Sequence, residues 1–433
     1  MRALLPTFVF VGFGLLLSGQ SMDAQITPRN LLSAELAGAD LQKVIVPQAQ
    51  WQPFPQSSAG WRKILPDSII ETLIKNGEAC LKAGFPNVPA TVTLDFFRNG
   101  NRTRYENIAF GKRNRLWALV LAESVEGKGR FLDAILDGIW SISEESFWGA
   151  SAHLFLQKGG KGLPDVENPV VDLFAAETAA TLAWTDYFIG PELDSISPLI
   201  RRRVYYEVNR RVFVPMQTRS ADYDWTGAGN KTAKLNNWAP WIMSNFLTAT
   251  LVLEKDAARR AENVSQVIEL TDQYLNGLGD DGACEEGPTY WAFGPGSVLD
   301  ILDLLQSASH GRINIYHEGL VRNMAAYLYK VHIAGNYFVN ISDAHPEMVP
   351  EPVMIRRFGR ETGDTIMRGF GAWFFGRENF GNSLSQQQFH RTRELFDLSD
   401  LREIGSAGSG ERGDGDRGDV ERGDVEGERG SGE

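Results

Sequence analysis

Apolar residues recur at three- and four-residue spacing through the stretches 64–83, 105–123, 129–142, 169–188 and 192–215. The same spacing returns in 237–253, 257–278, 293–308 and 316–333. It is the period of an amphipathic helix, and no comparable run of strand-like alternation precedes Ile333. The expected class is all-α. Pro66 and Pro169 fall near helix starts, where a missing backbone N–H costs nothing, and Pro191 before Glu192 predicts a tight corner. Gly84, Gly127 and Gly277 stand where helices are expected to end. Long helices joined by alternating short and long connections predict stacked antiparallel hairpins, which closed into a ring make an incomplete (α/α) toroid.

The pattern weakens at both ends. Trp51-Gln52-Pro53-Phe54-Pro55 breaks any regular element near the start. After Ala334 the chain reads as two extended pieces, 337–341 and 372–375, and a short helix near Leu395. From 405 to 433 it is a mixture of glycine and charge, with Arg417-Gly418-Asp419 and Arg422-Gly423-Asp424 repeated. Such a mixture cannot bury a core and is expected to be disordered; the triplets arise readily in biased sequence and are not read as adhesion signals. The first residues have the form of an export signal: Arg2, the apolar run 4–17 and a cleavage region at 22–25. The run falls short of the roughly 20 apolar residues that span a bilayer, although an uncleaved anchor is the alternative. The expected divisions are a signal peptide at 1–25, a helical catalytic domain at 26–335, a short β remnant at 336–400 and a tail at 401–433. The mature chain is expected in the periplasm or outside the cell, with no membrane partner.

Composition narrows the partner. With 433 residues, 43% of them hydrophobic and 11% aromatic, the chain can bury one large core or two ordinary ones. A net charge of -12 argues against nucleic acid, whose binding needs a surplus of lysine and arginine. Cys80 and Cys284 make no disulfide framework; two buried thiols are expected, with a single bridge as the alternative. The six histidines include no His-x-x-x-His pair, so neither a metal site nor a cofactor is expected. The Arg201-Arg202-Arg203 and Arg210-Arg211 runs fit a solvated helix face better than a polyanion track.

Candidate chemistry gathers in three non-helical stretches. Asp280-Asp281-Gly282-Ala283-Cys284-Glu285-Glu286-Gly287-Pro288-Thr289-Tyr290-Trp291 packs acids, a Gly-Pro corner and two aromatics between helical patterns, as loops that carry chemistry do. The loops 144–168 and 218–235 hold Trp148, His153 and Trp225, and the second leads into Asn236-Asn237-Trp238-Ala239-Pro240-Trp241. Tryptophans in loops suit sugar stacking, and the alternative is that they tuck back onto the core. One of the two asparagines is expected to cap the following helix and the other to face a cleft.

These residues resemble the heparinase II/III-like polysaccharide lyases, from about residue 144 to 380. The Asn236-Asn237 helix start and the Asp281-Gly282…Glu286-Gly287-Pro288-Thr289-Tyr290-Trp291 block look like the family's own; 163–166, 171–178 and 331–335 are similar. The resemblance implies a helical toroid followed by a β-sandwich, here truncated, and β-elimination on an acidic polysaccharide such as heparan sulfate or alginate. Elimination from a uronate removes the proton beside its carboxylate, so donors must first neutralise that carboxylate. Asn236 or Asn237 can supply amide N–H groups. Tyr290, the residue matching the family's catalytic tyrosine, can act as base and then acid if nearby positive charge lowers a phenol normally near pKa about 10. Glu286 is expected to orient Asn237 or Tyr290. His153, Trp238, Trp241 and Trp148 are the remaining substrate-contact candidates.

Two departures stand out. Trp238 occupies the place where many members carry histidine, and Phe293 that of a second tyrosine. The missing sandwich normally brings a further catalytic histidine, so impaired activity is an expectation. Two other classes remain open. One is an α/α-toroid glycoside hydrolase, which needs two carboxylates about 5–10 Å apart; the other is a carbohydrate-binding remnant without turnover.

Overall fold

The computed structural model describes residues 28–377 and 389–407. Short helices α1 (Leu31–Glu35), α2 (Leu41–Val44) and α3 (Ser58–Ile64) lead into α4 (Asp67–Leu81), α5 (Ala90–Asn99), α6 (Thr103–Glu126) and α7 (Leu132–Ser143). Next come α8 (Leu173–Ile196), α9 (Pro198–Val208), α10 (Val214–Arg219), α11 (Trp238–Leu253), α12 (Ala257–Gly277), α13 (Pro295–Ala308) and α14 (Gly319–Lys330). An antiparallel hairpin, β1 (His332–Ala334) and β2 (Tyr337–Phe338), precedes α15 (Pro352–Glu361), α16 (Thr365–Phe375) and α17 (Arg391–Ala407). The chain is mostly helical, as the periodicity predicted.

Helix boundaries follow local chemistry. Asp172 opens α8 by accepting from the backbone N–H groups of Phe174 and Ala175, and Asp256 opens α12 by accepting from Arg259. Gly127, at φ 67°, closes α6 in the left-handed conformation that glycine adopts without steric cost. Consecutive helices pack in series: α6 against α4, α7 and α8; α8 against α9 and α11; α11 against α12 and α13. Nearly every residue of α8 from Leu173 to Gly190 is buried, and so is all of α11 after Trp238. A helix apolar on all sides belongs at the centre of a core.

Helix α17 lies in that centre. Its Thr392 meets Trp184 of α8 and Thr248 of α11, its Glu394 meets Trp117 of α6, its Arg393 meets Asp300 of α13, and its Asp397 meets Arg357 of α15.

Four expectations change. Pro191 makes no corner, because α8 runs through it; the carbonyl of Tyr187, which Pro191 cannot serve with an N–H, lies 3.5 Å from Gln56 Nε2 instead. The expected helix at 192–215 starts later, at Pro198 with Ser197 as its cap, and passes through a π-helical turn, Asn209–Phe213, just before Pro215. The piece 372–375 is helical within α16, which Asp364 caps. A short apolar run carries no period of its own; of these four, Phe374 is fully buried and Phe375 packs partly against the core. The short helix near Leu395 extends through Ala407, past the expected tail boundary. The rest of the tail, with its Arg-Gly-Asp repeats, and the signal-like residues lie outside the described residues.

Candidate functional site

The start of α11 carries the paired asparagines. Asn236 is exposed, and its Oδ1 accepts from the Trp238 backbone N–H at 3.1 Å, so it secures the helix start. Asn237 is nearly buried, and its Nδ2 donates to Glu286 Oε2. Asn236 thus does the capping work expected of one of the pair, and Asn237 is oriented by Glu286.

Glu286 reaches Asn237 because its turn is fixed on both sides. Gly282, at φ 69°, lies against the backbone of Asn323 and Met324, where a β-carbon has no room. Gly287, at φ 86°, does the same toward the β2–α15 loop: a β-carbon there meets Ile341 O at 2.6 Å and Ala344 Cβ at 2.7 Å. Trp291 anchors the end of the turn by donating from Nε1 to Met324 O at 2.9 Å. The same loop ties back through the His345 N–H, which donates to Thr289 Oγ1 at 2.9 Å. Within this frame Glu285 pairs with Lys234 at the surface. Burial, and then the charge of Asp343, push the Glu286 carboxyl above the usual carboxylate range, against the pull of the Asn237 hydrogen bond.

Tyr290 ends a 3-10 turn, Pro288–Tyr290, and is half-buried. Its ring lies 5.8 Å from Phe293, which stacks on Trp241 at 4.8 Å. Its hydroxyl has no hydrogen-bond partner among the described residues. The turn after Tyr290 passes close to Asn237: a β-carbon at Gly294 would come within 2.7 Å of Tyr274 Oη and 3.6 Å of Asn237 Cβ.

The tryptophans divide differently from the expectation. Trp148 and Trp241 are buried, at 2% and 7% exposure, and neither is a sugar platform. Trp148 donates to Ile142 O at 2.9 Å beneath the Arg211 guanidinium, and Trp241 donates to Glu177 Oε1 at 3.3 Å. Trp225 likewise turns inward, to Val171 O. A loop tryptophan hides its ring wherever its N–H finds a backbone or carboxylate partner inside. Trp238 alone of the named substrate-contact tryptophans keeps part of its ring in solvent.

His153 stands against that ring, 4.6 Å away between centroids. It lies in a 3-10 helix, Ser151–Leu156, not in an open loop, and is 8% exposed. Its Nδ1 is 2.7 Å from Asp172 Oδ2. Sequence reasoning missed Asp172 as a partner: its cap signature before Leu173 is legible, but the link to His153 is tertiary. Asp343 and Glu177 were missed for the same reason. The solvated-arginine reading is corrected for Arg211, which is buried against Glu207 and the carbonyl of Glu145, while Arg202 is exposed and Arg201, Arg203 and Arg210 are partly so. Both cysteines are free thiols; Cys284 is buried, and burial pushes its thiol up to about 12, while Cys80 is only half-buried.

No protein-family model matches the chain, and neither does any curated protein. The chemistry rests on the residues themselves. His153, Trp238, Asn237, Glu286 and Tyr290 are linked around the α11 start, with an amide held by a carboxyl, an imidazole held by a carboxylate and a half-buried phenol that has no hydrogen-bond partner among the described residues.

Proposed function

We propose that the chain is a polysaccharide lyase that cleaves a uronic-acid polymer, heparan sulfate- or alginate-like, by β-elimination. In this reading the serial hairpins form an incomplete (α/α) toroid, and the α11 start is the floor of its cleft. One observation carries the proposal: Asn237 is fixed by Glu286, which lies four residues before Tyr290 on the same turn. One N–H of the Asn237 amide goes to Glu286, and the other remains to hold the uronate carboxylate. The burial that favours the neutral form of Glu286 lessens its repulsion of that carboxylate. Tyr290 then takes the C5 proton and returns one to the leaving oxygen, with a double bond left between C4 and C5. The resemblance to heparinase II/III-like lyases supports the same roles.

Ultraviolet absorbance of the unsaturated uronate tests the reaction. A steady rise on at least one acidic polymer is expected, and Tyr290→Phe should reduce it by about 10²–10⁴-fold while binding persists. Full activity in Tyr290→Phe refutes the assignment.

A second reading has its own support. Glu286 and Asp343 face one another from separate loops closely enough for the Asp343 charge to raise Glu286, which is how an acid and a base are set apart in a glycoside hydrolase. New reducing ends without the unsaturated chromophore would favour this reading.

A further inference from the structure

The feature the lyase chemistry leaves unused is the buried pair beside Trp238. Asp172 is fully buried, and every bond it makes is one it accepts: Oδ1 from the N–H groups of Phe174 and Ala175, Oδ2 from Ala150 at 3.0 Å and from His153 Nδ1 at 2.7 Å. An ionised carboxylate can only accept, so a proton sits on Nδ1, and in the neutral imidazole the Nε2 lone pair is left available. Nε2 has no protein partner among the described residues. Around it stand three aromatic surfaces: Phe174 stacked at 5.7 Å, Trp238 at 4.6 Å and Phe155, 56% exposed, at 6.3 Å. A fixed acceptor flanked by partly solvated rings matches a sugar that offers its apolar face and a hydroxyl together.

The charge of the neighbourhood limits which sugar. Asp172 sets a fully buried carboxylate directly behind the imidazole. A sulfate or carboxylate placed at Nε2 would meet a lone pair backed by a buried anion, which is repulsive; a hydroxyl would donate to it.

We propose that His153, held by Asp172 as a positioning residue, and Trp238 form a subsite for an uncharged, hydroxylated sugar adjoining the uronate. The preferred polymer is then an unsulfated one in which uronate alternates with a neutral sugar, not a sulfated chain or a run of uronates. The proposal rests on the lyase reading only in placing the uronate next door.

Calorimetric titration of Tyr290→Phe protein, which leaves polymers uncut, compares oligosaccharides of unsulfated heparosan, heparin and alginate. Heparosan should bind at least about tenfold more tightly than either of the others. His153→Phe keeps the packing on Phe174 and Trp238 but has no acceptor, and should bring the three affinities within about threefold. Trp238→Ala should weaken all three together. Equal or tighter binding of heparin or alginate, no binding of heparosan, or a preference that survives His153→Phe each overturns the subsite. The two readings fail separately: selective binding with no unsaturated product from the wild-type protein sinks the lyase, and product formed without selectivity sinks the subsite.

Discussion

Two polar regions of this protein, the surroundings of α17 and the start of α11, use the same residue types to opposite ends. Around α17 the charges are dry and matched. Arg393 reaches Asp300 at 2.9 Å and Glu351 at 3.3 Å, and Arg357 reaches Asp303 at 3.0 Å and Asp397 at 2.9 Å. Tyr316 donates to Asp303 at 2.6 Å, and Trp117 to Glu394 at 2.6 Å. At the α11 start each polar group is held at one end and left free at the other: Asn237 by Glu286, and His153 by Asp172. The first arrangement fixes a helix in one position, and the second fixes side chains and keeps their reactive atoms for a ligand. Buried charge alone is therefore a poor guide to a functional site; an unsatisfied end that water can reach is the better one, since both ring nitrogens of His390 in the dry region also have no hydrogen-bond partner among the described residues but are buried.

The sharpest way to break the comparison is to remove one partner from the dry region. Arg393→Met should leave Asp300 short of its main partner and cost about 3–5 kcal/mol in denaturant unfolding, as loss of one half of a buried pair does. A loss below about 1 kcal/mol would mean that water reaches α17 and that the interior is not dry.

The next effect is smaller and depends on pH. Burial pushes the Glu394 carboxyl up to about 7, despite the opposing Arg391 charge and the Trp117 hydrogen bond. Folding thus favours the protonated form, so this contribution is complete below about pH 4.5 and is lost as pH rises through about 7. Glu394→Gln, whose amide oxygen can still accept from Trp117, should flatten that part of the profile and gain on the order of 1–3 kcal/mol relative to wild type between pH 5 and pH 8. Melting curves of the two proteins across that window check it, and parallel curves would contradict the burial-driven shift.

Legibility in the sequence follows the same divide. The period alone places α11 and α12 within a residue or two of their observed ends, 237–253 against Trp238–Leu253 and 257–278 against Ala257–Gly277. It misplaces a break at Pro191, because the compensating Gln56 comes from more than a hundred positions away. It gives α17 no importance, since Arg391, Arg393, Glu394 and Asp397 read as an ordinary polar surface until their partners on α6, α13 and α15 are known. At the α11 start, the Asn-Asn pair is readable as a cap signal and Glu286 as a partner for Asn237 or Tyr290, and the fold selects Asn237. The inward turn of Trp148 and Trp241 is not, because nothing local shows whether an indole N–H will find an acceptor inside.

The least costly change separates the two asparagines. Both stand at the same helix start, and both were candidates for holding a carboxylate. Asn236 turns its oxygen onto the Trp238 N–H, which is the work of a cap, whereas Asn237 gives its nitrogen to Glu286 and sits in the neighbourhood of Tyr290. Asn236→Ala should therefore cost about 0.5–1 kcal/mol of stability through the lost cap bond and lower turnover by less than about tenfold. Asn237→Ala should lower turnover by about 10²-fold, the usual loss when a preorganised donor to a developing anion is removed. Asn236→Ser distinguishes the cap from the amide: its hydroxyl can accept the same N–H, so it should recover the stability that alanine loses. If it restores stability while turnover stays as low as in Asn237→Ala, both amides touch the substrate, and the wet region extends one residue further from the helix than these hydrogen bonds indicate.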